Sequence, residues 1–122
     1  TSFSQGNIGI TIDGGGSAIT TGTKGYVYVP YNGTITGWTI LADQTGSCVV
    51  DVWKDTYANF PPLGADSIAG TEKPTLSSAF KNQDLSLSTW NTLVSVGDVI
   101  AFNVDSATTV TRVQVQLNIT KT

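Results

Sequence analysis

From Arg112 to Ile119 the chain alternates without a break. Val113, Val115, Leu117 and Ile119 fall on one face, and Arg112, Gln114, Gln116 and Asn118 on the other. A side-chain period of two belongs to a β-strand, so this run specifies an antiparallel-type strand with one apolar and one wet or interfacial face. The same period recurs upstream. Ile8, Ile10 and Ile12 alternate with Gly9, Thr11 and Asp13; Val27, Val29 and Tyr31 oppose Tyr26 and Tyr28; Ile100, Phe102 and Val104 oppose Asn103 and Asp105. No segment between them keeps a helical period for long.

Composition agrees with that pattern. Only 12% of the residues are charged, and threonine, serine, glycine, valine and isoleucine are abundant. Such a chain favours strands and turns. About seven or eight short strands in 122 residues predict one all-β domain, an antiparallel two-sheet sandwich, and within that class a jelly-roll-like arrangement. Residues 1–7 are small and polar and read as a tail or linker, leaving residues 8–122 as the domain. A start at Thr1 and the absence of methionine suggest a fragment of a longer chain.

Thr34 to Lys54 reads as a hairpin at the centre of this domain. Asp43-Gln44-Thr45-Gly46 has the composition of its turn. On the return strand Cys48, Val50 and Val52 share one face, while Val49, Asp51 and Trp53 share the other. The Asp51 carboxylate marks its own face as wet or interfacial. On the outgoing strand Ile35 has the opposite parity to Trp38 and Ile40, which predicts a bulge near Gly37. Pro30 predicts a strand end or an edge. Asn32-Gly33 is a turn signal leading into the hairpin.

After Lys54 the alternation lapses. Asp55 to Asp84 holds three of the four prolines and reads as a long loop, interrupted at most by a short strand near residues 67–69. Loops of this length in a compact domain are often functional. Leu85 and Leu87 then alternate with serines toward Trp90, and Val94 to Asp98 reads as a turn.

Much chemistry is excluded by what the chain lacks. There is no histidine, hence no Ser-His-Asp or Cys-His arrangement and none of the commonest zinc ligand. Cys48 is the single cysteine, so no intrachain disulfide forms, and its place on an apolar strand face reads as an inert buried thiol. Asp13-Gly14-Gly15-Gly16-Ser17 and the nearby Lys24 have the wrong order for a phosphate-binding loop. The net charge of -3 and six scattered cations argue against a nucleic-acid partner. No run is long and apolar enough for membrane insertion as a helix. No EF-hand-like pattern marks a calcium site. The sequons at Asn32 and Asn118 are chance matches in so threonine-rich a chain. Asp51, Asp55, Asp66, Glu72 and Asp84 leave a carboxylate pair for glycoside cleavage formally open, with no spacing that singles out two of them. No catalytic, metal or cofactor residue is therefore assigned.

Several stretches together resemble one kind of module. They are Asp13 to Gly25 (DGGGSAITTGTKG), Val29-Pro30, Gly37 to Lys54 with the following DTYANFPP, Gly70 to Ser77 (GTEKPTLS), Asn82-Gln83-Asp84, Trp90, and Gly97 to Val113. As a set they are similar to a module near the ends of tail fibres and other virion proteins of tailed bacteriophages and prophages. The resemblance spans nearly all of Ile8 to Ile119. It implies a homotrimeric, non-enzymatic fibre tip in the virion that binds a bacterial cell-surface glycan or protein during host adsorption. It brings no ligand motif that maps residue by residue. Trp53, Tyr57 and Phe60 are the candidate receptor-binding residues, chosen as aromatics on a non-core face or in the long loop. Packing against the core or a sister subunit is the competing reading for each. A structural trimerisation or capping module and a glycan-cleaving enzyme remain the two rival functions.

Overall fold

The computed structural model describes residues 4–122. Seven strands follow one another along the chain: β1 (Ser4–Asp13), β2 (Gly22–Tyr28), β3 (Gly33–Thr56), β4 (Thr75–Asp84), β5 (Leu93–Val94), β6 (Asp98–Thr108) and β7 (Arg112–Lys121). Among the described residues two short 3-10 turns, Tyr57–Asn59 and Gly64–Asp66, interrupt this all-β order. Every strand pairing is antiparallel, and hydrogen bonds join all seven into one sheet of order β1-β7-β3-β6-β2, with β4 and β5 also on β3. The sheet curls until its end strands approach each other. A Cβ on Gly25 of β2 would lie 3.1 Å from the Ile10 side chain of β1, so a larger residue there would press on that seam.

The concave face holds the core. Val113, Val115, Leu117 and Ile119 of β7 meet Ile100, Phe102 and Val104 of β6, Val50 and Val52 of β3, and Ile8 and Ile12 of β1 in one cluster. These are the inward sets that the alternation specified. Cys48 lies in the same cluster with no exposure, and burial pushes its thiol up to about 11. A proton held that firmly makes it unreactive at neutral pH.

The expected hairpin is not there. Thr34 to Lys54 lies within one 24-residue strand, and Asp43 to Gly46 continues it without reversal. Its first half, Gly33–Ala42, pairs with β7, and its second half, Ser47–Thr56, pairs with β6 along the same edge. Between the two halves β3 passes the corner where β6 turns into β7. The polar residues read as a turn are spent on that corner: Asp43 accepts from the Thr111 and Arg112 backbone N–H groups and the Thr111 hydroxyl, and Gln44 donates to the Thr109 carbonyl. At Gly46 a Cβ would come within 2.6 Å of the Thr108 carbonyl oxygen, so glycine serves close approach here instead of reversal.

Other boundaries move as well. Ser4 to Asn7, expected in a linker, pair with Asn118 to Lys121 as the start of β1; the rest of that expected tail, residues 1–3, lies outside the described residues. The stretch read as a loop to Asp84 contains β4, whose side chains are mostly exposed and so carry no apolar alternation. Near residues 67–69 there is only a single bridge, between Trp53 and Ser67. Leu85 to Trp90 forms no strand. The bulge expected at Gly37 is present as a register shift against β7 between Ile35 and Gly37, and β2 ends at Tyr28, before Pro30.

Candidate functional site

The convex face of the β2–β6–β3 half-sheet carries the most unusual surface of the molecule. Cross-strand register places Tyr26, Ala101 and Trp53 in one row and Tyr28, Val99 and Asp55 in the next. The middle strand contributes only small side chains, which leaves a shallow trough between β2 and β3. The chain leaving β3 fills it. Phe60 sets its ring edge-on to Tyr26, centroids 4.8 Å apart at 65°, and Tyr57 does the same to Tyr28 at 6.5 Å and 81°. Val99 and Ala101 are buried, yet the four rings around them are not. Tyr26, Tyr28 and Phe60 are each about half exposed (48%, 54% and 47%), Tyr57 is 72% exposed, and Leu63, farther along the same segment, is 63% exposed.

This ledge rests on a segment that is fixed at both ends. At its start Tyr57 donates its N–H to the Gly97 carbonyl at 2.9 Å. Farther on, Ser67 bridges to Trp53 and donates its hydroxyl to Asp51 at 2.6 Å. Asp51 is 6% exposed and also accepts from its neighbour's backbone, Val52 N at 2.9 Å, and from the Trp53 indole at 3.0 Å, with the Lys73 ammonium 3.6 Å away. Lys73 pairs more closely with Asp105, 2.7 Å apart, and that hydrogen bond holds its pKa above the ordinary lysine value. Glu72 completes the anchor. Its carbonyl accepts both the Trp38 and Trp90 indole N–H groups at 2.8 and 2.9 Å, and its carboxylate accepts the Ser88 and Thr89 backbone N–H groups and the Thr89 hydroxyl. Those donors, Thr89 first, hold the Glu72 carboxyl below the usual range. Among the described residues no buried side-chain polar atom lacks a partner.

Of the three aromatics singled out from the sequence, Tyr57 and Phe60 therefore stand on the ledge, while Trp53 is half-buried beside it, tied to Asp51 and flanked by Gly64 and Ser67. Parity set Tyr26 and Tyr28 opposite Val27 and Val29, but with bulk on both faces it did not say which face was core. Leu63 carries no sequence signal that separates it from any other loop residue. The carboxylates considered for glycoside cleavage are each engaged locally: besides Asp51 and Glu72, Asp55 accepts from Thr56 N, Asp66 from Leu63 N and Asp84 from Ser86 N. Among the described residues no three His, Cys, Asp or Glu side chains gather closely enough to hold a metal ion. Exposed rings on a fixed base can stack on the apolar face of a flat or puckered ring, or be covered by a partner surface, without rearrangement. No protein-family model matches the chain, and neither the curated proteins nor the solved structures contain a match to it.

Proposed function

We propose that this domain is the non-enzymatic receptor-binding tip of a tailed-phage fibre, which holds a bacterial surface glycan on the ledge of Tyr26, Tyr28, Tyr57 and Phe60. The observation that carries the reading is the exposure of four clustered rings, Tyr26 and Tyr28 on β2 and Tyr57 and Phe60 on the pinned segment beside it. A monomeric soluble domain rarely leaves such a patch in water without a ligand or partner to cover it. Pyranose rings present C–H faces that pack on aromatic rings, and their hydroxyls reach the polar groups beyond. The resemblance of the chain to fibre-end modules supplies the setting, a virion-borne homotrimer. In that setting we read the two halves of the curled sheet as the layers of a jelly-roll-like sandwich.

A second reading, a structural trimerisation module, draws on the convex face of the other half-sheet. There Gln114, Gln116 and Asn118 lie half-buried in an uncharged row, the composition of an interface core depleted in charge. Fluorescently tagged domain added to a panel of bacterial strains separates the two. Receptor binding predicts decoration of some strains, loss of it when their surface polysaccharide is removed, and a decrease of about threefold to tenfold in affinity for Phe60→Ala or Tyr57→Ala at unchanged oligomeric mass. A folded trimer that binds no strain, the natural host included, would leave the structural module. Release of reducing ends from host polysaccharide would instead identify the enzyme alternative.

A further inference from the structure

Five of the six cations in the chain are engaged by the fold. Lys24 donates to the Thr20 hydroxyl, Lys54 to the Leu93 carbonyl, Lys73 to Asp105 and Arg112 to Asp13, while Lys121 sits over the Tyr31 ring. Lys81 has no ion pair, hydrogen bond or ring partner among the described residues. An unpaired lysine on a surface is ordinary by itself. This one lines a depression of about 380 Å³ on the convex face of β3 and β4.

The lining is mixed in a directed way. Leu41, 46% exposed, gives an apolar wall, and Thr39 and Gln83 stand beside it with a hydroxyl and an amide, while the Asn82 amide is spent on the Thr75 carbonyl and the Gln83 N–H. Gln83 donates to the Thr39 hydroxyl at 3.2 Å, which orients its amide oxygen and leaves that oxygen an acceptor. No carboxylate lines the depression, so the Lys81 charge is not neutralised within it. A second depression of about 250 Å³ begins on the other side of Leu41, toward Thr11 and Gln114. Leu41 thus separates two wells of roughly sugar size across the strands.

We propose that the Lys81 well is a subsite for an anionic group on a saccharide, a carboxylate or a phosphate, with the sugar ring against Leu41 and its hydroxyls on Thr39 and Gln83. The inference rests on reading the domain as glycan-binding, but it uses none of the ledge residues. A charge-assisted hydrogen bond from an ammonium to an oxyanion is stronger than a neutral one, and here it meets no competing acidic side chain.

The test is titration of the whole chain, followed by amide NMR, with three probes: an oligogalacturonate, a sugar phosphate and a neutral maltooligosaccharide. Shifts at the Gln83 side-chain amide and around Leu41 are expected with one or both anionic probes; which of them responds identifies carboxylate or phosphate as the group read. Lys81→Gln should weaken that binding by about tenfold, and raised salt should weaken it too. Equal binding of the neutral probe, no shift with any probe, or full affinity in Lys81→Gln would each overturn the assignment. In those cases, ledge-dependent adsorption to cells would still stand as its own result, whereas loss of adsorption as well would remove the glycan reading itself.

Discussion

Asp51 shows how far a single residue could be read before the fold was known. Its parity opposite Val50 and Val52 places it outward, and it is outward. Its burial follows from residues 16 and 22 positions away, Ser67 and Lys73, which fold over it. Nothing local to Asp51 encodes that cover. Replacement by alanine would leave the Val52 N–H, the Trp53 indole and the Ser67 hydroxyl without their acceptor under the segment that carries the ledge. We expect Asp51→Ala to cost about 2–4 kcal/mol in urea unfolding. Asp51→Asn should cost less, because an amide oxygen still accepts from part of the set. Phe60→Ala, which removes a half-exposed ring packed edge-on to Tyr26, should change stability by less than about 1 kcal/mol while weakening adsorption. A large stability loss in Phe60→Ala would make the ledge a packing device. Tyr57 and Phe60 were recognisable as loop aromatics; that each leans on a tyrosine of β2 follows from tertiary folding alone.

At the scale of elements, β3 is where sequence reading and structure part most clearly. Small polar residues between two apolar runs are the composition of a turn, and also of a strand that passes a corner with backbone groups to satisfy. Asp43 decides between them here by capping the β6–β7 corner, 68 residues distant in sequence. The runs themselves were legible, including the bulge at Gly37, because each half faces one core. β4 was invisible for the opposite reason, since an edge strand with exposed side chains shows no period. Two substitutions test this account of β3. Gly46→Ala should destabilise by about 1–3 kcal/mol, since the new methyl meets the Thr108 carbonyl. Asp43→Ala should lower the urea midpoint and speed hydrogen exchange at the Thr111 and Arg112 amides. If those amides keep their protection, the corner is held by something other than Asp43.

For the molecule as a whole, the response to acid follows from what the chain has and lacks. With no histidine, no side chain with an ordinary pKa titrates between about pH 5 and 8. Three carboxyls tie distant segments together and are held below their ordinary values: Glu72 by the Thr89 and Ser88 donors, Asp43 by Thr111, and Asp13 by the Gly15 N–H and Arg112. A carboxyl whose pKa is lower in the folded than in the unfolded chain stabilises fully above its unfolded value, near pH 4, and loses that contribution as pH falls through the folded value. Lys73, raised by Asp105, has the opposite sign, stabilising below about pH 10.5 and losing its contribution above. The melting temperature should therefore be nearly level from pH 8 to pH 5 and fall steeply below about pH 4. Glu72→Gln should flatten part of that acid limb and lower the plateau, because the amide cannot serve three donors as the carboxylate does. Thermal melts from pH 2 to 8 on both proteins measure this directly. A decline on acidification that begins above pH 5 would mean that a group with an unfolded pKa above the carboxylate range takes up protons on unfolding, and would overturn the assignment of these three as the groups that set the acid response.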